Sequence, residues 1–248
     1  MNGPLVTVVI AAKDPAPRLL ARCLASFATL DCAKRIQLLL VLSGAMDRID
    51  GAVTAAFQSF EVLRTPVRGV YAAYHVGIAN ARGRYTLLFG VDDIALPGID
   101  AVASQLEAKP FDLFAAACYM QGKGIRRTSP DRRSLIKANW CQQGIFYATS
   151  RLAATGFDCR YPIQADHKLN IDIVADPASQ IGNSDELVAY FSSGGVSSLR
   201  HDLAFIRDFP NIVGNAYGRP LGFYYKWRQR LSTWLLGPLE ERYRNPSA

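Results

Sequence analysis

Residues 85–93 read YTLLFGVDD, an apolar run that ends on two adjacent carboxylates, Asp92 and Asp93. The run predicts a strand at Tyr85–Phe89 that is buried on both faces, as the strands of a parallel sheet are. In open α/β sheets, ligands bind at the carboxyl ends of such strands. The two aspartates therefore stand where a fold of this kind would hold its ligand.

The segments upstream of this strand alternate between strand and helix patterns. The predicted strands are Leu5–Ala11, Ile36–Leu42 and Phe60–Arg64, and the predicted helices are Leu19–Phe27, Ala52–Phe60 and Tyr71–Ala81. This alternation predicts a doubly wound α/β sheet. The later half is less regular, with strands predicted at Asp112–Met120 and Gly144–Tyr147 and short helices after them. Neither G-x-G-x-x-G nor G-x-x-x-x-G-K-[ST] occurs, which excludes Rossmann dehydrogenases and P-loop NTPases.

The composition indicates one globular domain, or one domain with a small appendage. Of the 248 residues, 50% are hydrophobic and 20% are charged, which excludes a disordered chain. The five cysteines are scattered, and the first residues lack a basic segment and a cleavage site, so we expect a reducing cytoplasm. No apolar run approaches the ~20 residues that span a bilayer, so we expect a soluble protein.

The net charge of +7 is concentrated in two segments. Residues 121–137 carry six Lys or Arg and one Asp, and residues 217–236 carry four Lys or Arg and no acid. Local patches favour contacts with phosphates or anionic lipids, and no nucleic-acid-binding motif is present. Because residues 217–236 also interleave aromatic with basic side chains, they predict an interfacial amphipathic helix. The alternative is a helix packed on the domain whose basic side chains are merely solvated.

Three sites have side chains suited to chemistry, and each has a second interpretation. Asp92 and Asp93 could hold Mg²⁺ through carboxylate oxygens, or they could cap a helix that begins near Pro97. Asp166 could act as a general base, or it could be a first-turn acid that complements a helix dipole. His201 could be a metal ligand or an ordinary hydrogen-bonding residue.

Taken together, the motifs resemble those of the family 2 inverting glycosyltransferases of the GT-A fold, in particular bacterial members that build surface polysaccharides. The matching segments are Gly69–Tyr71, Gly77–Ala79, Ala81–Tyr85, Val91–Asp93, Cys141–Tyr147, Gly156–Asp158, Ala165–Asp166, Val188–Phe191 and Gly194–Ser197. The resemblance covers residues 5–200. It implies a Rossmann-like, mostly parallel central sheet flanked by helices, a less regular acceptor-side half and a C-terminal amphipathic helical tail.

The resemblance also implies a reaction and roles for named residues. The donor would be a nucleotide-diphospho-sugar, bound by Asp14, Asp47 and Asp92. Asp93, together with Asp92, would hold Mg²⁺ or Mn²⁺ against the diphosphate, and His201 is a further candidate ligand. Asp166 would take the proton of an acceptor hydroxyl as that hydroxyl attacks the anomeric carbon, and one such displacement inverts the configuration.

The implied organisation has a donor half, an acceptor half and a tail. Residues 1–95 would bind the nucleotide sugar, residues 96–210 would complete the glycosyltransferase domain, and residues 211–248 would form the basic aromatic tail. The acceptor would be a glycan or a polyprenyl-diphosphate-linked glycan. No nucleic acid is expected as a partner. The protein would be cytoplasmic, with contact to the anionic inner face of the cell membrane.

The chain departs from the family pattern at five positions that the family fills with other residues. These are Leu42 and Ala72 in place of acids, His75 in place of Asn, Gln142 in place of His, and Lys168 in place of an acid. The departures support a second hypothesis, a catalytically inactive GT-A-like binding or scaffold protein of the same pathway. A nucleotidyltransferase is disfavoured because residues 11–18 lack the glycine-rich, basic loop that such enzymes have.

Overall fold

The computed structural model describes residues 3–44, 51–66, 69–129, 131–192 and 202–239. Its strands are β1 (Val6–Lys13), β2 (Ile36–Ser43), β3 (Ser59–Arg64), β4 (Tyr85–Gly90), β5 (Ile94–Ala95), β6 (Leu113–Met120), β7 (Gly124–Arg126), β8 (Ile145–Ala148) and β9 (Ile181–Phe191). Its helices are α1 (Pro17–Ala28), α2 (Gly51–Thr54), α3 (Val70–Ala79), α4 (Gly98–Ala108), α5 (Arg132–Lys137), α6 (Thr149–Thr155), α7 (Ala165–Ala175), α8 (Leu203–Tyr217) and α9 (Arg219–Leu236).

The strands form one sheet in the order β3-β2-β1-β4-β8-β6-β9-β5, and β7 pairs with β6. The first four strands are parallel to one another, as the sequence predicts. Beyond β4 the sheet is mixed: β8 is antiparallel to both β4 and β6, whereas β9 is parallel to β6. The predicted α/β architecture is confirmed. In this strand order the connections reverse direction between β1 and β4, where such sheets open a ligand crevice.

The central strands of the parallel half, β1, β2 and β4, are mostly apolar because both faces of the sheet are covered there. Val8 and Ile10 of β1 belong to the core that includes α1 and α4. Val9, between them, belongs to the core on the other face, which includes α3 and α7. Successive side chains of a strand point to opposite faces, so each of the two cores requires apolar residues at alternate positions.

Three stretches differ from the sequence-based predictions. The helix predicted at residues 52–60 is only the single turn α2, because the backbone N–H of Gln58 already donates to Ile36 O at 2.9 Å and starts the pairing of β3. The 121–137 stretch contains β7 and α5, and the Asp131 carboxylate caps α5 by accepting from two backbone N–H groups. The long strand β9 was not predicted, because its charged and small residues hide the strand pattern.

The predicted tail helix is α9, which packs against α8. At their crossing, a methyl group on Gly222 would lie 2.6 Å from the Gly214 Cα, so the two backbones are in direct contact. Pro210 has no N–H to donate to the Ile206 carbonyl one turn earlier, and the Gln229 side chain of α9 donates to that oxygen instead, at 2.8 Å. The proposed boundary after residue 210 falls inside α8. No helix within the described ranges has both the length and the apolar character needed to cross a membrane.

Candidate functional site

Asp92 and Asp93 lie in the turn between β4 and β5, at the carboxyl end of the parallel strands. The turn is fixed at the Asp92 carbonyl, which accepts from Arg22 Nη2 at 2.6 Å and from Ser192 Oγ at 2.8 Å. The alternative that the pair caps a helix is wrong, because α4 begins only at Gly98 and has no side-chain cap. Both carboxylates therefore stand at the crevice beside β1 for a reason other than helix capping.

Asp93 is the more deeply placed of the two, with only 1% of its surface exposed. Its Oδ2 accepts from Gln143 Nε2 at 2.7 Å, and its Oδ1 accepts from the Ser192 backbone N–H at 2.9 Å. Burial, assisted by the neighbouring Asp92 charge, raises the pKa of Asp93 to about 7, although the hydrogen bonds from Ser192 and Gln143 oppose the shift. A nearby cation would favour the ionised form of this carboxyl group.

The two carboxylates converge above Gly90, which suits a hard divalent cation. A methyl group on Gly90 would lie 2.6 Å from Asp93 Oδ2 and 2.8 Å from Asp92 Oδ1. Within the described ranges, no group of three or more His, Cys, Asp or Glu side chains is arranged to hold a metal ion. Mg²⁺ commonly takes only one or two carboxylates and completes its shell with substrate phosphates and water, so the pair fits that use. His201 lies outside the described residues.

Of the other two predicted donor-binding residues, the structure describes one. Asp14 directly follows β1, is exposed, and has a positive φ of 40°, a conformation that is uncommon for a residue with a side chain. Its backbone N–H donates to Ser43 O at 3.2 Å, so Asp14 lies beside the carboxyl end of β2. Asp47 lies outside the described residues. Asp14 and the Asp92–Asp93 pair thus follow two adjacent strands, β1 and β4.

Asp166 lies in the first turn of α7 and is buried, with 8% of its surface exposed. Its Oδ1 accepts from Tyr71 Oη at 2.8 Å and from the His167 backbone N–H at 2.9 Å, and its Oδ2 accepts from Asn139 Nδ2 at 2.8 Å. Burial raises the pKa of Asp166, against the hydrogen bonds from Tyr71, Asn139 and His167. A raised pKa makes a carboxylate a better proton acceptor when it is ionised.

Helix α3 connects the two acidic sites through a pair of tyrosines. Tyr71 contacts Asp166, whereas Tyr74 donates to Phe89 O at 3.3 Å, at the end of β4. The two rings lie 6.3 Å apart. Burial raises the pKa of Tyr74, and the charges of Asp93 and Asp166 both add to the shift. The carboxylates that follow β4 and the carboxylate of α7 therefore face one region.

Four of the five residues that depart from the family pattern have a packing or hydrogen-bonding partner inside the protein. Leu42 is packed in the core that contains α1. His75 accepts from the Phe157 backbone N–H at 3.1 Å. Gln142 donates to Tyr147 Oη at 3.3 Å, and Lys168 pairs with Asp172, one turn along α7, at 2.6 Å.

Several residues that shape the site were not predicted. Tyr71 and Gln143 lie inside segments that carry the family resemblance, so the motifs could have indicated them. Ser192 and Asn139 have no such signal, because their roles come from contacts with Asp93 and Asp166, which are 99 and 27 residues away along the chain.

Comparisons with known proteins agree with this architecture. The chain is 30% identical to a PGL/p-HBAD biosynthesis glycosyltransferase of Mycobacterium bovis and to one of Mycobacterium tuberculosis, over 85% of this chain and 86% of each relative. Crystal structures of S. aureus TarS superpose with TM-scores of 0.72 for the longer chain and 0.70 for residues 1–349 with UDP-GlcNAc. Both cover 96% of this chain at 14% identity, and they cover 46% and 77% of the TarS chains.

The likeness to TarS concerns the fold, which is the GT-A arrangement expected from the sequence. The sequence model described as Glycosyl transferase family 2 matches residues 7–163, which contain β1 to β8 and the two aspartates of the β4 turn. This match spans more than half of the chain, and it agrees with the relatives' names. The chain therefore belongs to glycosyl transferase family 2 and is a glycosyltransferase.

Proposed function

We propose that this glycosyltransferase moves a sugar from a nucleotide-diphospho-sugar to a hydroxyl of a lipid-linked or polysaccharide glycan, with inversion, in cell-surface glycan biosynthesis. The observation that carries the proposal is the placement of two acidic sites on either side of one tyrosine pair. Asp92 and Asp93 lie near Tyr74, and Asp166 accepts from Tyr71. Such an arrangement gives the diphosphate and the acceptor hydroxyl separate acidic partners across one region.

The residues of the β4 turn would bind the donor diphosphate. Asp92 and Asp93 would hold Mg²⁺ or Mn²⁺, which when bound offsets the charge that develops on the departing diphosphate. Gln143 and Ser192 keep the Asp93 carboxylate in place, and Asp14 lines the nucleoside side of the crevice. We keep Asp47 and His201 as proposed contacts of the donor and the metal.

Asp166 would activate the acceptor. Its carboxylate would accept the proton of the acceptor hydroxyl while the hydroxyl oxygen forms a bond to the anomeric carbon. The bond from that carbon to the diphosphate breaks on the opposite face, and the nucleoside diphosphate leaves with the electron pair. A single displacement with one base gives a product of inverted configuration.

A membrane-borne acceptor is supported by the outward face of α9. Gly222, Tyr225 and Gln229 contact α8, and the opposite side of the helix carries large exposed apolar side chains. These are Phe223, Tyr224, Trp227, Leu231, Trp234 and Leu235. Lys226 and Arg230 border that face on one edge. An apolar face with a basic edge suits the surface of an anionic bilayer, so we propose peripheral contact with the inner face of the cell membrane.

The competing hypothesis is an inactive GT-A-like scaffold. Its specific support is that Lys168 pairs with Asp172 where the family has a second acid, and that Leu42 is buried where the family has a donor-contacting acid. A scaffold would bind a partner through this fold but would not turn over a nucleotide sugar.

A donor panel separates the two hypotheses. Purified protein would be incubated with Mn²⁺, single nucleotide sugars and membrane-extracted glycolipid acceptors, with release of nucleoside diphosphate as the readout. We expect one donor to support release, a product of inverted configuration by NMR, and a loss of ~10²–10⁴-fold in Asp166→Asn. Release by no donor, together with metal-independent nucleotide binding, would favour the scaffold. Near-normal turnover of Asp166→Asn would refute the role of Asp166.

A further inference from the structure

The carboxylate of Asp166 is held unequally at its two oxygens. Among the residues that the structure describes, Oδ1 accepts two hydrogen bonds, from Tyr71 Oη and from the His167 backbone N–H, whereas Oδ2 accepts one, from Asn139 Nδ2. A carboxylate oxygen has about two acceptor positions. Oδ2 therefore retains the capacity to accept a further proton donor, and Asn139 is the side chain that orients this oxygen.

The Asn139 amide can donate to Asp166 in only one orientation. Its Oδ1 accepts from the Trp140 backbone N–H at 2.9 Å and from Asn170 Nδ2 at 3.1 Å. A flipped amide would lose both bonds and would turn its oxygen toward the Asp166 carboxylate. By contrast, the single Tyr71 hydroxyl proton has two acceptors, Ile163 O at 2.7 Å and Asp166 Oδ1 at 2.8 Å.

Further buried polar groups hold Asn139 on the side that faces away from Asp166. Asn170, which is fully buried, accepts from Tyr147 Oη at 2.7 Å, and Tyr147 in turn accepts from Gln142 Nε2 at 3.3 Å. Every donor in this series points toward Asp166. Reversing the Asn170 amide would bring its oxygen against Asn139 Oδ1, so these two asparagines hold a single arrangement.

We propose that Asn139 is the positioning residue for Asp166, and that Asp166 Oδ2 is the atom that takes the proton of the acceptor hydroxyl. The inference rests on the proposed function and deepens it. Asn139 does two things through one hydrogen bond: it directs the free side of Oδ2, and it stabilises the ionised carboxylate. Removing the bond therefore changes both the geometry and the pH at which the base becomes active.

Four titratable groups that the structure describes close to Asp166 stay in one state near neutral pH. They are Tyr71 and Tyr74 on α3, Tyr147 on β8 and His167 on α7. Burial raises the pKa of each tyrosine, so these groups remain protonated, and burial lowers the pKa of His167 to about 4, so it remains neutral. Asp93, on the far side of Tyr74, also has a raised pKa, of about 7, so the acidic limb of a pH–rate profile would reflect both carboxyl groups. Only the part of the limb that moves in Asn139→Ala reports the carboxyl group of Asp166.

The test compares Asn139→Ala with wild type over a range of donor concentrations that reaches saturation. We expect kcat to fall by about 10- to 100-fold with the donor KM nearly unchanged, because the reacting oxygen is no longer directed. The acidic limb should move upward by about one to two pH units, because a hydrogen bond to the charged form is lost. Gln37→Leu is the matched control: this buried amide bonds to Thr7 and to the Arg82 N–H near the opposite ends of the strands. It should lower stability without moving the limb.

An exchange variant separates positioning from structural support. If Asp166→Asn keeps the hydrogen bonds at Oδ1, its new amide nitrogen faces Asn139 Nδ2, so two donors oppose each other. Adding Asn139→Asp replaces one of these donors with a carboxylate oxygen and restores a donor–acceptor pair. We expect the double variant to recover much of the thermal stability lost by Asp166→Asn, but none of the turnover. This inference would be overturned if Asn139→Ala had a near-normal kcat and an unmoved acidic limb while Asp166→Asn was inactive. That result would leave the proposed function standing. Normal turnover in Asp166→Asn would instead refute the role that the proposed function gives to Asp166.

Discussion

The outward face of α9 makes a quantitative prediction about membrane binding. Trp227 and Trp234 are 55% and 80% exposed, so a bilayer interface would bury more than one whole tryptophan side chain in total. Full burial of a large apolar side chain stabilises by ~1.5–3 kcal/mol, which puts the two exposed portions together at ~2–4 kcal/mol. The double variant Trp227→Ala/Trp234→Ala should therefore bind vesicles about 30- to 1,000-fold more weakly than wild type.

The basic edge of the same face predicts a salt dependence. Each Lys or Arg near an anionic surface contributes ~1 kcal/mol, so Lys226→Ala/Arg230→Ala should weaken binding about 30-fold at low salt. That difference should shrink as salt rises, because exposed charges are screened over ~10 Å at 0.1 M. The tryptophan variant should retain its deficit at high salt.

The assay is co-sedimentation with phosphatidylglycerol-containing and neutral vesicles at two salt concentrations. Ile125→Ala serves as the control, because Ile125 is 44% exposed on β7 and lies outside α9. Point variants are preferable to truncation after Tyr217, which would uncover the side of α8 that Gly222 and Gln229 contact. If wild type ignores anionic vesicles at low salt, or if the tryptophan variant binds as wild type does, the reasoning is refuted.

Three further predictions concern the metal pair, a buried histidine and the helix crossing. Asp93→Asn should abolish the Mn²⁺-dependent part of nucleotide binding measured by calorimetry, and it is a better test than Ala, which would leave Gln143 and the Ser192 N–H unpaired. Burial lowers the pKa of His167 from 6.5 to about 4, so the unfolded chain takes up a proton first as the pH falls. Between pH 7.5 and 5, the free energy of unfolding measured in urea should therefore fall by about 2 kcal/mol more in wild type than in His167→Gln. Gly222→Leu should lower the free energy of unfolding by ~1–3 kcal/mol, because the helix crossing would be overpacked. The loss should exceed that of Gly214→Ala, whose methyl group would lie 3.2 Å from the Gly222 Cα. Equal midpoints of urea unfolding for the two variants would contradict this.

Much of the parallel half of the sheet could be predicted from the sequence because its pattern is local. Strands β1, β2 and β4 are covered on both faces, so each is a largely apolar run of a kind that is not expected in a loop or an exposed helix. The carboxylates Asp92 and Asp93 directly follow one of these runs, and strand ends are where parallel sheets bind ligands. The tail helix was predictable for a similar reason, since its basic and aromatic residues are close in the chain.

The later strands could not be predicted because their pattern is not local. Strand β9 alternates buried, half-buried and exposed positions irregularly, and it pairs with β6 through two shifts of register. Residues 52–58 have helical composition, yet the chain leaves the helix early because pairing of β3 with β2 provides hydrogen bonds along a whole strand. In both cases a partner that is distant in the sequence decides the local conformation.

The sequence by itself determined the parallel half of the sheet, the position of the Asp92–Asp93 pair and the identity of Asp166 as a candidate base. Only the tertiary structure decided how each carboxylate is held. Asn139 meets Asp166, and Ser192 meets Asp93, through folding of segments far apart in the chain. Burial and hydrogen-bond direction determine the basicity of a carboxyl group, and both depend on neighbours that the local sequence does not specify.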